Sequence, residues 1–231
     1  MEKPFIKTGY LGLCIIIMSL VLLFAFPANT PHIPEGFFTP ILAFEFIETQ
    51  QDVLSLFGYE NKSLRDELIR KMNLGNYLDY IFMTLYTMFI SFFSISCFKI
   101  TKKKIFLIPV FLSLLILICD AFENVQLLSI TNKIDTGAFE KELINLYFFT
   151  WIKWLSIPIC FIIFSFYFLK RNFFAKIIGI SAYFSFFIGI SAFYHKPYLC
   201  ELLEISIAVN YIMITIYSFV QSDSYNYIKK Q

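Results

Sequence analysis

Six apolar runs separated by short polar segments dominate the chain, and each is long enough to cross a bilayer. About 20 helical residues, each rising roughly 1.5 Å, span the hydrocarbon core. The runs lie near residues 8–27, 77–98, 105–129, 146–169, 177–195 and 201–221. This pattern predicts an all-α integral membrane bundle of six transmembrane helices, in which residues 1–231 form a single membrane domain.

Residues 28–76, between the first and second runs, contain helix signals rather than a featureless linker. Thr39-Pro40 resembles an N-cap followed by proline at the first helical position. Two further motifs resemble capping boxes with Asp in place of Glu or Gln, namely Thr49-Gln50-Gln51-Asp52 and Ser63-Leu64-Arg65-Asp66. Gly58 and Gly75 occupy positions typical of glycines that end helices. The stretch Ile41–Ile47 fits either a strand or an interfacial helix. We favour an extracytoplasmic segment of short amphipathic helices resting on the outer membrane surface.

The composition agrees with a membrane location and excludes some partners. The chain is 58% hydrophobic and only 16% charged, and it contains 30 Phe residues. A water-soluble domain of this length carries more charge, whereas lipid-facing helix positions can all be apolar. The net charge of +2 is too small to indicate binding to nucleic acid. The lipid bilayer is therefore the predicted environment, and no nucleic-acid partner is predicted.

The distribution of Lys and Arg predicts the orientation of the chain. Short loops on the cytoplasmic side of membrane proteins are enriched in these residues. Here Lys102–Lys104 and Lys170-Arg171 lie in short loops, which places both termini in the cytoplasm and residues 28–76 outside. The first run, Tyr10–Phe26, is longer than a signal-peptide core and precedes a weak cleavage site, so we expect a retained helix.

Ionisable residues within the runs gather toward the predicted outer side. They are Asp79, Asp120, Glu123, Lys153, His195, Glu201 and Glu204, and Asn124 accompanies them. A charge deep in a membrane helix costs about 2.5–3.5 kcal/mol on insertion scales, so such residues usually pair or line water inside a bundle. We therefore predict an outward-facing polar cavity, covered by residues 37–75.

Matched depth predicts an ion pair at the centre of this cavity. Asp120 and Lys153 both lie roughly 10–12 Å below the outer surface, counted along their helices. Asp120, Glu123 and Asn124 share one helix face, and Asp79 and Tyr86 share another. The predicted ligand-binding residues are Asp79, Tyr86, Asp120, Glu123, Asn124, Lys153 and Glu204.

Other interpretations of these residues stay open from the sequence alone. Asp79, Glu201 and Glu204 also suit acids at helix N-termini, which the helix dipole favours. Lys153 could snorkel to the interface between two belt tryptophans, Trp151 and Trp154. The pair between Asp120 and Lys153 could be purely structural, and His195 could be a solvated loop residue.

Several kinds of site lack their signals in this sequence. Carboxylates with His195 could hold a divalent cation, but the chain has only two His and no His-Glu-x-x-His or Glu-x-x-His motif, so no metal site is predicted. There is no Gly-x-Ser-x-Gly and no phosphate-binding glycine loop. The five Cys include no Cys-x-x-Cys pair and are interpreted as small buried hydrophobes. The sequence names no cofactor.

The last two runs are predicted to form a tight helical hairpin through His195-Lys196-Pro197-Tyr198. Ser181, Ser185 and Gly189 follow one another at four-residue spacing in the fifth run. Small residues on one helix stripe allow close helix approach in lipid. Packing within the chain is favoured over a dimer contact.

Three sequence elements carry a resemblance. They are Phe44-Glu45-Phe46 with Thr49-Gln50-Gln51-Asp52, Leu78-Asp79-Tyr80-Ile81-Phe82 with Tyr86, and Asp120-Ala121-Phe122-Glu123-Asn124. Over roughly the first 130 residues this pattern resembles small, uncharacterised bacterial membrane proteins with several spans. The resemblance implies a shared layout, a bacterial inner-membrane location and a common grouping of Asp79, Asp120, Glu123 and Asn124. It implies no activity.

Three functions fit these expectations. The first is a binding protein, which could also act as a transporter, for a small ligand, a cation or a lipid headgroup in the outward-facing cavity. The second is an intramembrane enzyme acting on a lipid or isoprenoid, with Asp120 and Glu123 as acid and base. The third is a structural membrane subunit.

Overall fold

The computed structural model describes residues 4–58, 61–194 and 197–220. Over these ranges the regular elements are α1 (Ile6–Ala25), α2 (Pro40–Glu45), α3 (Gln50–Phe57), α4 (Lys62–Thr101), a 3-10 turn (Lys104–Leu107), α5 (Ile108–Lys133), α6 (Glu140–Phe168), α7 (Phe173–Tyr194) and α8 (Tyr198–Val220). Among the described residues, six helices are long and apolar enough to cross a membrane. The predicted all-α architecture with six candidate spans is confirmed.

The six long helices close into a ring in chain order. Each helix from α4 to α7 packs against the one that follows it, and α1 closes the ring by packing against both α4 and α8. The most buried of the six is α6. Inward-facing side chains of α4, α6 and α8 therefore meet in the middle of the bundle, where a site can be shielded from solvent and lipid.

One end of the bundle is filled with aromatic side chains. The ring of Phe5 lies 4.9 Å from that of Phe93, 5.6 Å from that of Tyr167 and 5.8 Å from that of Tyr217. All four side chains are buried. Edge-to-face and offset-stacked arrangements of this kind add to the energy of apolar packing. We call these residues, with Phe164 and Phe168, the aromatic end.

The other end, which we call the α2–α3 end, is covered by residues between α1 and α4. An apolar cluster fixes α2 and α3 onto the ends of α4, α5 and α6, and it includes Phe44, Val53, Leu56, Phe57, Met72, Leu127, Ile130 and Phe139. The apolar faces of both short helices are thus buried against protein. Their predicted location at an outer membrane surface stays a prediction.

Local signals in this segment are confirmed in part. Thr49 Oγ1 accepts a hydrogen bond from the backbone N–H of Asp52 at 3.1 Å, which is the N-cap half of the predicted capping box of α3. The Asp52 carboxylate accepts from the Thr49 hydroxyl at 2.5 Å instead of from its backbone N–H. Gly58 ends α3 with a φ of 71°, in the left-handed region that glycine adopts without strain. Pro40 occupies the first turn of α2, and Thr39 precedes it as the N-cap residue.

Two predictions about α4 are wrong. Asn61, rather than Ser63, caps the helix, and its Oδ1 accepts from the N–H of Leu64 at 3.1 Å. Gly75 lies inside α4 instead of ending a shorter helix, because the ring of Phe26 packs where its side chain would be. A Cβ added at Gly75 would lie 2.2 Å from that ring. The 40-residue helix is about 60 Å long and exceeds the hydrocarbon thickness.

The last two long helices are adjacent, as predicted for a hairpin. Helix α7 ends at Tyr194 and α8 begins at Tyr198, whereas His195 and Lys196 lie outside the described residues. The Nδ2 of Asn210 on α8 donates to Ser185 Oγ on α7 at 2.8 Å. Gly189 lies next to Leu155 and Leu203, so the small-residue stripe serves packing within the chain at these two positions.

Candidate functional site

A buried lysine organises the polar cluster near the α2–α3 end. Lys153 lies on α6 with 6% of its surface exposed. Its Nζ lies 2.6 Å from Glu123 Oε1, 3.3 Å from Asp120 Oδ1 and 3.3 Å from Glu45 Oε2. The ion pair predicted between Asp120 and Lys153 is present. Carboxylates from α2 and α5 together surround this ammonium, which offsets the cost of burying it.

The interpretation of Lys153 as a snorkelling residue between belt tryptophans is wrong. Trp151 and Trp154 are both buried. The indole N–H of Trp154 donates to Glu45 Oε2 at 3.0 Å, and its ring centroid lies 5.2 Å from Lys153 Nζ. The ring of Trp151 packs 4.9 Å from that of Phe46. The charge on Lys153 is therefore directed into the bundle, where a carboxylate and an aromatic face contact it.

Glu45 is a site residue that the sequence prediction missed. It is the last residue of α2, and its backbone oxygen accepts a hydrogen bond from Thr150 Oγ1 at 3.3 Å. An acid between Phe44 and Phe46 was the available signal. Glu45 lies outside the six apolar runs. Its depth could therefore not be counted along a predicted helix and compared with that of Lys153.

Side chains of α4 complete the cluster on the side opposite α6. The hydroxyl of Tyr86 donates to Asp120 Oδ2, and the amide of Asn124 donates to Asp79 Oδ2 at 2.7 Å. Asp79 and Tyr86 therefore face α5, as their shared helix face predicts. Both oxygens of Asp120 are engaged, one by Tyr86 and one by Lys153, so this carboxylate is held in one orientation.

A cavity of about 600 Å³ adjoins the cluster. Six of the seven predicted ligand-binding residues line it, namely Asp79, Tyr86, Asp120, Asn124, Lys153 and Glu204. The seventh, Glu123, is fully buried behind Lys153 and contributes nothing to the lining. Residues of the segment that was predicted to cover the site, among them Thr39, Leu42 and Glu45, form part of its wall. The volume falls within the range of small-molecule sites.

Three polar groups in the cavity wall have no partner in the described part of the chain. Both amide atoms of Asn76 and the hydroxyl of Tyr211 are buried without a hydrogen bond. The half-buried carboxylate of Glu204 likewise has no ion pair or hydrogen bond within residues 4–58, 61–194 and 197–220. Buried polar groups are nearly always hydrogen-bonded. These are therefore the groups with capacity to bind something in the cavity.

Comparison with known proteins found no matching family model, curated protein or solved structure. The resemblance to small bacterial membrane proteins consequently stays a prediction.

Glu201 has a structural position although it shares a helix face with Glu204. Its Oε1 accepts from the backbone N–H groups of Phe38 and Thr39 at 2.7 and 2.9 Å. Its Oε2 accepts from Thr39 Oγ1 at 2.5 Å. The first N–H groups of a helix lack intrahelical partners, and Glu201 supplies one from another helix. It thereby anchors the start of α2 to α8.

The balance of charge decides what the cavity can hold. Three carboxylates, those of Glu45, Asp120 and Glu123, contact the ammonium of Lys153. Two more, those of Asp79 and Glu204, lie elsewhere in the described cavity wall. Among the described residues, no group of three or more His, Cys, Asp or Glu side chains could hold a metal ion. The groups of the described wall that can still form hydrogen bonds or ion pairs are those of Asn76, Tyr211 and Glu204.

Proposed function

We propose that this chain is a multi-pass membrane protein that binds a small ligand or lipid headgroup in the polar cavity beside Lys153, near the α2–α3 end, which is predicted to be the outer end. The observation that carries the proposal is the set of buried, unpartnered groups in one cavity wall, which includes Asn76 and Tyr211. Leaving such groups without partners costs about 1–3 kcal/mol each. A polar ligand that hydrogen-bonds them recovers part of this cost.

Binding accounts for the cluster better than acid–base catalysis does. An acid–base pair needs carboxyl groups that can reach a substrate and exchange protons with it. Glu123 does not line the cavity, and Lys153 contacts its Oε1 at 2.6 Å. Both oxygens of Asp120 are occupied. These residues are arranged as a fixed charged wall, whereas Glu204 and Asn76 are available to a ligand.

The proposal is tested by thermal unfolding of purified protein with headgroup-sized probes. We expect choline and ethanolamine to raise the melting temperature and glycerol 3-phosphate to leave it unchanged. Substitution Asn76→Phe should abolish the rise because the ring fills the polar end of the cavity.

The matched control is Leu74→Phe, which lies two residues away on α4 with half of its surface exposed. This variant should respond as the unmodified chain does. A melting temperature that none of the three probes changes would remove the proposed site. So would an equal rise in Asn76→Phe.

A further inference from the structure

The cavity has two chemically different sides. Its polar side is formed by α4, α5, α6 and α8 and includes Asn76, Asp79, Asp120, Lys153 and Glu204. Its apolar side follows α1 and includes Ile15, Ile16, Leu20, Leu22 and Leu23. A site with this division matches a ligand that has a polar head and a hydrocarbon tail.

The apolar side reaches the outer surface of the bundle between α1 and α8. The two helices touch at Gly12, where an added Cβ would lie 2.0 Å from Thr215 Oγ1. Toward the α2–α3 end, cavity-lining residues on both helices are exposed: Leu20 by 54%, Leu23 by 68% and Ile212 by 44%. The neighbouring lining residue Ala208 is exposed as well. We call this opening the α1–α8 mouth.

The α1–α8 mouth faces hydrocarbon because its edges are apolar side chains of membrane-length helices. Above it, Glu201 binds the start of α2 to α8. The ring of Phe38 packs 5.9 Å from that of Tyr198, next to the same junction. The cavity is thus roofed at the α2–α3 end and reaches the surface sideways.

Charge in the polar side favours a cationic head. Lys153 is contacted by Glu45, Asp120 and Glu123, so its ammonium is neutralised before any ligand enters. Among the described residues that line the cavity, Lys153 is the one Lys or Arg, so an anionic head would find no ammonium that is not already paired with carboxylates. An ammonium would instead gain an ion pair with Glu204 and a hydrogen bond to the Asn76 carbonyl oxygen.

We infer that the ligand is an amphipathic amine that enters from the lipid through the α1–α8 mouth, with its ammonium beside Glu204 and its hydrocarbon tail along α1. This inference rests on the proposed function and adds the chemical class of the ligand and its route. The shared chemistry is an ammonium on a hydrocarbon chain, whether it belongs to a membrane lipid or to a hydrophobic amine from outside.

The test uses the full chain in nanodiscs and thermal unfolding with four probes. Dodecylamine should raise the melting temperature, whereas dodecanol and dodecanoate at the same concentration should not. Butylamine lacks eight of the methylenes and should require a concentration at least about a hundredfold higher, because each buried methylene contributes about 0.8 kcal/mol. Comparison of the probes in discs without protein corrects for partitioning into lipid.

Variants at the α1–α8 mouth separate the route from non-specific effects. Ala208→Trp should abolish the response to dodecylamine because the indole fills the opening. Its control, Val209→Trp, is exposed on α8 without lining the cavity and should respond normally. Ile212→Trp provides a second blocking variant at the same edge if Ala208→Trp does not fold.

A variant at the head position tests the charge. Glu204→Gln should require about tenfold more dodecylamine for the same shift, in line with the loss of a charge-assisted hydrogen bond. Glu140→Gln changes an exposed acid outside this cavity and should leave the shift unchanged.

Extracting lipids from protein purified out of native membranes distinguishes the two sources of amine. If the unmodified chain retains an aminolipid and the Ala208→Trp variant does not, the ligand is a membrane lipid. If the unmodified chain retains no aminolipid but still responds to dodecylamine, the ligand is an amine from outside the membrane.

Two patterns of result would overturn the inference in different ways. In the first pattern, choline or butylamine stabilises the protein as much as dodecylamine does, and Ala208→Trp responds normally. This result would refute the sideways route and leave the proposed function standing. Absence of stabilisation by any amine, including the headgroup probes, would refute both.

Discussion

The two ends of the bundle use the same long helices but fill the space between them differently. At the aromatic end, Phe5, Phe93, Tyr167 and Tyr217 pack ring against ring and are buried. At the α2–α3 end, Lys153 and its carboxylates adjoin a cavity of about 600 Å³. Close packing is the normal condition of protein interiors. The described residues of the aromatic end thus fill their space with rings, whereas those of the α2–α3 end border a cavity.

This difference divides the molecule into an end that contributes to stability alone and an end that contributes to both stability and binding. Aromatic packing holds α1, α4, α6 and α8 together at one end, so the other end can leave polar groups such as Asn76 unpartnered. Functional sites are commonly placed where local rules of packing and hydrogen bonding are relaxed. Substitutions at the two ends should therefore have different consequences, and three of them sharpen the comparison.

The largest effect is expected for Lys153→Met. Removing the ammonium leaves Glu45, Asp120 and Glu123 buried beside one another without their shared partner. Loss of one member of a buried ion pair costs about 3–5 kcal/mol. Denaturant unfolding in detergent should show a reduced free energy of unfolding of that size. Lys133→Met is the control, since Lys133 is 44% exposed in its pair with Glu142 and should cost at most about 1 kcal/mol.

An intermediate effect is expected for Tyr86→Phe, which removes the hydroxyl that donates to Asp120 Oδ2. A hydrogen bond to a charged group contributes about 1.5–3 kcal/mol. The variant should lower the free energy of unfolding by this amount and weaken the thermal response to choline, because Asp120 lines the cavity. Tyr80→Phe serves for comparison, as its hydroxyl reaches only the backbone oxygen of Ala121 at 3.3 Å. Equal losses in both variants would contradict the charged role of Asp120.

The smallest effect is expected for Phe93→Leu at the aromatic end. Loss of ring contacts with Phe5 should lower the free energy of unfolding by about 1 kcal/mol. The melting-temperature rise with choline should be unchanged, since Phe93 does not line the cavity and lies about two turns along α4 from Tyr86, which does. Phe111→Leu, at a position 73% exposed, should change neither property. A weakened response to choline in Phe93→Leu would show that the two ends are coupled.

Much of the fold could be predicted because the long helices depend on apolar runs that are local in the sequence. Six long apolar runs predict six helices whatever their neighbours are. The limits of α4 could not be predicted in the same way. Gly75 looks like a helix end in the sequence, yet its missing side chain accommodates Phe26 from another part of the chain. Whether Gly75 ends a helix or makes room for a neighbouring side chain depends on its contact with Phe26, which the local sequence does not show.

The candidate site likewise contains residues that could be placed from the sequence and residues that could not. Asp120 and Lys153 could be paired because both lie at known depths in their own helices. Glu45 could not be placed, since its approach to Lys153 requires the segment before α4 to fold back over α5 and α6. Glu201 and Glu204 share one helix face, but only the position of Thr39 determines that Glu201 anchors α2.

Glu45 connects the cover of the cavity to its charge. The residue ends α2, and its carboxylate contacts both Lys153 and Trp154. Any displacement of α2 would take this carboxylate away from the ammonium and leave the interior more positive. The position of α2 therefore sets part of the negative charge beside the cavity, and a change in α2 would also change how strongly a cation is held there.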